Sequence, residues 1–160
     1  MLITLFTDCS FSYRLSRGTW AAWFKVDGKT YRYSGTLREQ IAQSAEGELR
    51  ALANGLHYIK KTLAAPSGTK IIAQMDSVEA INAIRSKAHP RPQAKETVDY
   101  ILAILTAEHW RLVLRHVKGH QGNATPRSAV NSWCDRECRR LMGELLAATN
   151  TPDQLSLPGI

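Results

Sequence analysis

Leu2-Ile3-Thr4-Leu5-Phe6-Thr7-Asp8 sets the architecture, together with a later run of the same character, Thr69-Lys70-Ile71-Ile72-Ala73-Gln74-Met75-Asp76. Leu2 to Thr7 is short, β-branched and apolar on both alternating faces, the pattern of a central strand covered on both sides. Asp8 is expected at its carboxyl end. Thr69 to Met75 predicts a second buried strand that ends in Asp76. Between them, from Ser44 to about Leu63, the apolar residues Leu49, Leu52, Ala53, Leu56, Ile59 and Leu63 recur at helical spacing, and Pro66, Ser67 and Gly68 stop the pattern. Strand, helix and strand in that order make a right-handed crossover between parallel strands. Both aspartates are then expected at one edge of one sheet.

The Asp27-Gly28 pair, flanked by Thr19–Val26 and Lys29–Leu37, is a hairpin signal, so three antiparallel strands open the chain. After Asp76 a short helix is expected from Ser77 to about Arg85, then a basic linker from Ser86 to Gln93 punctuated by proline. A helix to about Glu108, a strand from Trp110 to Val117, a polar loop and a helix from about Ser128 to Ala148 follow. There is no internal repeat and no low-complexity tract. The expectation is one mixed α/β domain over residues 1–148, with a loose tail over 149–160.

A chain of 160 residues can bury about two-thirds of its unfolded surface and needs no disulfide or structural metal to fold. Apolar residues at 44% and charged residues at 22% are the balance of a globular protein. Twenty-one Lys and Arg against fourteen Asp and Glu leave a formal charge of +7, which favours a polyanionic partner, nucleic acid first. The plainer alternative is a basic surface that serves solubility. Asp8 interrupts the N-terminus too early for a signal peptide's apolar core, and no run approaches the ~20 apolar residues of a spanning helix, so no membrane association is expected. Cys9, Cys134 and Cys138 cannot all pair within one chain, which fits reduced thiols in a cytoplasm.

Asp8 and Asp76 at the ends of neighbouring strands would stand on backbones about 4.8 Å apart. Carboxylates that close repel unless cations sit between them, and hard oxygen ligands favour magnesium or manganese. Paired ions roughly 3.5 to 4 Å apart serve in-line displacement at phosphorus, so the arrangement points to phosphodiester chemistry. Each residue alone has a plainer role. Asp76 would cap the following helix, Asp8 would hold an Asx turn, Glu48 would be a solvated helix charge and Asp135 would pair with Arg139. Glu46 and Glu48 flank the apolar face of their helix on opposite sides, so only one can look toward the aspartates, and periodicity leaves open which.

Two further patterns have plainer explanations. His116, His120, Cys134 and Cys138 form an H-x3-H and C-x3-C set, but cysteines spaced across a helix turn suit core packing better than a zinc knuckle. Trp20, Trp23, Trp110 and Trp133 lie in apolar segments and are expected in the core rather than on a stacking platform.

Thr7-Asp8-Cys9-Ser10, Gly47-Glu48-Leu49, Met75-Asp76-Ser77, and Val117-Lys118-Gly119-His120 followed by Asn131 and Cys134-Asp135 are each short. In their order, spacing and placement the chain resembles the ribonuclease H family from Leu2 to about Leu146. The resemblance implies a ribonuclease H-like fold, a mixed five-stranded sheet flanked by helices, and an Asp, Glu, Asp, Asp cluster for two divalent ions, Mg2+ or Mn2+. On that basis Asp8 bridges the ions, Glu48, Asp76 and Asp135 complete their coordination, and Glu48 is preferred to Glu46. His120, in a loop, would assist proton movement or product release. The residues expected to meet nucleic acid are Ser10, Arg14, Arg17, Ser44, Lys87, Arg91, Lys118 and Asn131.

The likeness also has gaps. Bacterial and animal members carry amide side chains just before the helix glutamate and two residues after the second aspartate to read RNA. Here those positions hold Ser44, Ala45 and Val78, and alanine and valine cannot bond a 2′-hydroxyl. The basic helical handle of many bacterial members is replaced by Arg85, Lys87, His89, Arg91 and Lys95 around two prolines, and the glycines after the first aspartate by Phe11-Ser12-Tyr13-Arg14. What the motif order of the resemblance implies is a two-metal endonuclease acting on the RNA strand of RNA/DNA hybrids as a monomer. The alternatives are a junction-resolving endonuclease acting on branched DNA as a dimer, and a nucleic-acid-binding module without catalysis.

Overall fold

The computed structural model describes residues 1–86, 92–118 and 124–150, with the side chains of 92 and 93 excluded. In chain order the elements are β1 (Leu2–Ser12), β2 (Arg17–Val26), β3 (Lys29–Thr36), α1 (Ser44–Leu63), β4 (Lys70–Met75), α2 (Val78–Ser86), α3 (Pro92–Ala107), β5 (Arg111–His116) and α4 (Pro126–Asn150). The strands form one sheet in the order β3-β2-β1-β4-β5. β2 pairs antiparallel with β1 and β3, while β4 pairs parallel with β1 and β5. The mixed five-stranded sheet and the β1–α1–β4 crossover are those expected from the sequence.

Asp27 and Gly28 close the β2–β3 hairpin with φ of 48° and 78°, and two left-handed residues are what a tight hairpin turn requires. α1 ends at Ala64, itself left-handed (φ 44°, ψ 45°), just before Pro66 forbids another turn. α4 begins two residues earlier than its apolar pattern suggests. Thr125 and Ser128 cap each other reciprocally there: Ser128 Oγ accepts from Thr125 N–H at 2.8 Å, and Thr125 Oγ1 accepts from Ser128 N–H at 3.1 Å, with Pro126 well placed in the first turn. At the other end α4 continues through Asn150, whose Oδ1 accepts from Arg14 Nη2 at 3.1 Å. The rest of the expected tail, 151–160, lies outside the described residues.

The larger correction concerns β1. Its parallel pairing with β4 ends at Phe6↔Gln74, but its antiparallel pairing with β2 continues through Asp8↔Ala21 to Ser12↔Arg17. Asp8 is therefore not at a strand terminus. It sits in mid-strand where one neighbour has stopped and the edge is open.

Side chains alternate across the sheet. Ile3, Leu5 and Phe24 face one side, fully buried with Leu49, Leu52, Leu56 and Ile59 of α1. Gly55 lets the helix lie close, since a Cβ there would stand 3.1 Å from Leu5 and 3.2 Å from Thr7. Phe6, Ala21 and Trp23 face the other side and pack with Cys134 and Cys138 of α4. Thr19 Oγ1 donates to the Cys138 carbonyl at 2.7 Å and Cys138 Sγ to the Asp8 carbonyl at 3.2 Å, which pins α4 across β1 and β2. Among the described residues no helix is long and apolar enough to cross a membrane.

Candidate metal centre

Three elements converge where β1 outruns β4. Asp8 shares the parity of Phe6 and so projects toward the α4 face, with Oδ1 accepting from Cys9 N–H at 2.9 Å. Asp76 follows the last residue of β4 directly. Beside it Ser77 Oγ accepts from Ala80 N–H at 3.1 Å and caps the start of α2. Glu48 is carried in by the first turns of α1, and Gly47 makes this possible: a Cβ on residue 47 would collide with Cys9 Sγ. Only a glycine lets the helix come that close to β1.

One ligand atom from each of Asp8, Glu48 and Asp76 lies within 4.8 Å of the others. Asp8 is 5% exposed and Glu48 4%, while Asp76 is half-buried. Burial, then the charge of Asp76 and, more weakly, that of Asp135 push the Asp8 carboxyl up from 3.8 to about 7. Glu48 is raised well above the usual carboxylate range by burial and by the charges of Asp8 and Asp76. Its Oε2 is buried and has no hydrogen-bond partner. Crowded carboxylates with an orphaned oxygen form an all-oxygen donor set that suits a hard divalent cation.

Glu46 is turned away from this cluster. It too is buried, but its Oε2 accepts from Ala42 N–H at 3.1 Å, ahead of the helix. Asp135 borders the cluster without joining the close triple, and its Oδ1 accepts from Arg139 Nε at 3.1 Å. The ion pair weighed for it from the i,i+4 spacing is thus present, while its charge still reaches Asp8. His120 lies outside the described residues.

Cys134 and Cys138 are buried in the core, with both thiols raised far above their ordinary range by that burial. His116 Nε2 donates to the Asp76 backbone carbonyl at 3.1 Å. These partners account for three of the four residues of the zinc pattern, and among the described residues the carboxylate triple is the one cluster with metal-ligand spacing. The bond from His116 was not foreseen, because an exposed histidine on an edge strand carries no sequence signal for what its ring will meet.

The residues expected to meet nucleic acid are spread unevenly. Arg14, Ser44 and Lys118 are exposed and Ser10 is half-buried. Arg17 commits Nε and Nη2 to the Leu37 carbonyl at 3.1 and 3.0 Å, bracing the strand that leads toward α1. Asn131 is 6% exposed and has little surface to offer a backbone phosphate. Lys87 and Arg91 lie outside the described residues. Trp20, Trp23 and Trp110 are buried as expected, and Trp133 is half-buried beneath Arg32, 5.2 Å from its ring centroid.

A family model described as RNase H matches residues 2–142. No curated protein matches the sequence. Among solved structures the chain is similar to LC11-RNase H1, isolated from compost and seen in complex with an RNA/DNA hybrid, with a TM-score of 0.73 and 16% identity over 90% of this chain and 99% of that one. It is also similar to the N-terminal RNase H domain of a Mycobacterium tuberculosis protein, fused to maltose-binding protein, at TM-score 0.72 and 14% identity over 92% and 98%. The RNase H1 of the halophilic archaeon Halobacterium salinarum gives 0.69 and 13% over 90% and 99%. Likeness at such identities is likeness of fold.

Proposed function

The chain belongs to the RNase H family of nucleases, and on that premise we propose that it is a divalent-metal-dependent endonuclease that hydrolyses the RNA strand of RNA/DNA hybrids. The observation that carries this reading is the buried triple of Asp8, Glu48 and Asp76, held within 4.8 Å with a Glu48 oxygen lacking any partner. The hybrid bound by LC11-RNase H1 supports the choice of substrate.

In this reading Asp8, Glu48 and Asp76 hold the cations, two Mg2+ or Mn2+ ions, and Asp135 completes the set by exchanging its contact with Arg139. Such ions, when bound, polarise the phosphodiester and ease deprotonation of the attacking water. The chain itself fixes the geometry. β1 and α1 bury two carboxylates where water is scarce, Ser77 Oγ caps α2 directly after Asp76, and His116 braces the Asp76 backbone. The imidazole of His120 is assigned the movement of a proton near neutral pH. Exposed Arg14, Ser44 and Lys118 are assigned to the substrate backbone. The free thiols of Cys9, Cys134 and Cys138 fit a reducing cytoplasm.

Branched DNA is the second reading, and a specific feature favours it. Val78, which follows Asp76 by two residues, is 51% exposed and presents methyl groups where a ribose hydroxyl would need a polar partner. A labelled hybrid, duplex DNA, duplex RNA and a four-way DNA junction, each incubated with protein and Mg2+, separate the possibilities. The expected result is cutting of the RNA strand to 3′-hydroxyl products, lost in excess chelator. Cutting of the junction by a dimer while the hybrid stays intact would favour the second reading. Binding of all four without cutting any would leave a module without catalysis.

A further inference from the structure

Past the carboxylate triple, β1 runs on into a turn that the cleavage chemistry does not use, Phe11-Ser12-Tyr13-Arg14. Tyr13 is 78% exposed, the most open of the large apolar and aromatic side chains among the described residues. Exposure alone says little, since single apolar side chains on a surface are common. What distinguishes Tyr13 is that its open ring is held in place.

Phe11 lies edge-on to it, with ring centroids 4.6 Å apart and planes at 68°, a favourable aromatic geometry. Phe11 is itself half-buried against the core. The turn is bonded to itself and to the segment before α1. Leu15 N–H donates to Ser12 Oγ at 3.3 Å, Ser16 N–H to the Tyr13 carbonyl at 3.4 Å, and Ile41 N–H to the Ser16 carbonyl at 2.9 Å. In an edge-on pair Phe11 covers at most one face of Tyr13, so the other stays open to solvent. The next residue, Arg14, is also exposed, and its Nη2 donates to Asn150 Oδ1 at 3.1 Å, which fixes a cation at the neighbouring position.

Ring and cation fit the two parts of one nucleotide. A guanidinium meets a phosphate, and an open aromatic face meets the face of a base. Inside a duplex both faces of a base are covered by its neighbours, so only an unpaired base, or one at the end of a helix, can use such a platform. Tyr13 follows Asp8 by five residues, a reach of about 16 Å at about 3.3 Å per extended residue. That is about five steps of duplex rise away from the scissile bond.

We propose that Tyr13, buttressed by Phe11, is a stacking platform for an unpaired base of the substrate, so that the protein favours hybrids carrying a single-stranded arm. The substrate side rests on the nuclease reading above. The test does not depend on cleavage.

Three forms of one short labelled hybrid separate bases from phosphates: blunt-ended, with a single-stranded DNA arm on either strand, and with the same arm built of abasic residues. In chelator, anisotropy titration of the full chain is expected to show the ordinary arm bound at least about fivefold more tightly than the abasic one, the lower range for one stacked base. The abasic arm keeps the phosphates and the salt dependence that goes with them. Tyr13→Leu, apolar but without an aromatic face, should remove the preference, and Tyr13→Phe should keep it; an exposed turn position tolerates both. Equal affinity for ordinary and abasic arms, or a preference undiminished in Tyr13→Leu, would overturn the proposal. Should that happen while the blunt hybrid is still cut in Mg2+, the nuclease reading stands without the platform. A base preference that holds while no substrate is cut would instead count against the nuclease reading and leave the platform standing.

Discussion

Asp8 is one of two carboxyls in the centre that burial and neighbouring charge push up, and its chemistry makes a prediction about the protein without metal. In the unfolded chain its carboxyl titrates near the ordinary 3.8, and in the folded chain it is held up at about 7 by burial and by Asp76. A raised pKa means that the folded state binds the proton more tightly, so Asp8 contributes stability in full below about pH 4 and loses it as the pH climbs through about 7. The loss is bounded at about 4 kcal/mol and is shared with Glu48, which shifts in the same direction. In chelator the melting temperature should therefore fall between pH 5 and pH 8, and Mg2+ should restore much of it at pH 8 by binding the folded state alone. Asp8→Asn removes the repulsion and should flatten the profile, raising the metal-free stability at pH 8 by about 1–3 kcal/mol while abolishing cleavage. A metal-free melting temperature that ignores pH would contradict this account. At this scale the sequence was legible in part. Asp8 and Asp76 announce themselves because each follows an apolar strand run. Glu46 and Glu48 could not be separated by projection, since both flank the apolar face of α1. What separates them is a tertiary fact, the acceptance by Glu46 of the Ala42 N–H ahead of the helix.

At the scale of elements the centre depends on how closely α1 approaches β1. Gly47 sits in a helix interior, where alanine would ordinarily be favoured by about 1 kcal/mol. Here a Cβ would collide with Cys9 Sγ and stand 3.1 Å from Ile41 Cδ1, so the sign reverses. Gly47→Ala is expected to cost about 1–3 kcal/mol through overpacking and to weaken Mg2+ binding by pushing Glu48 away from Asp8. Pairing it with Cys9→Ala should recover most of both losses, and chemical denaturation with a Mg2+ titration on the two single variants and the double measures the coupling. Additive effects would show that the close approach is not what Gly47 provides. The elements themselves were legible wherever one pattern dominates. α1 has its expected bounds because its apolar spacing is regular and Pro66 closes it; the hairpin turns at Asp27-Gly28 as its dipeptide requires. β1 was read too short because Cys9-Ser10-Phe11-Ser12 carries polar residues into the sheet, and its continuation depends on β2 supplying a partner through Ser12↔Arg17. The early start of α4 is written in Thr125, Pro126 and Ser128, a capping signal that apolar spacing alone overlooks.

For the whole molecule the governing quantity is charge. Twenty-one basic against fourteen acidic residues leave +7, although Asp8, Glu48 and Asp76 crowd three carboxyl groups at the point where a phosphodiester would be cut. Those two facts are compatible only if the surface and the centre do different work: Lys and Arg hold the nucleic-acid backbone, and cations in the centre offset the carboxylates. Binding should therefore be separable from cleavage. In chelator, a labelled hybrid should still bind, and Asp76→Asn, which lowers the repulsion at the centre, should bind it at least as tightly as the wild type. That affinity should also fall steeply with salt. Each neutralised phosphate releases counterions, so two contacts already predict a loss of about tenfold between about 50 and about 200 mM monovalent salt, and further contacts steepen it. Arg14→Ala and Lys118→Ala, both at exposed positions, should each reduce the slope of log affinity against log salt by about one without changing the melting temperature. Anisotropy titrations across that salt range measure all of this, and an affinity indifferent to salt would mean that the basic surface serves solubility and that the substrate is held by other means.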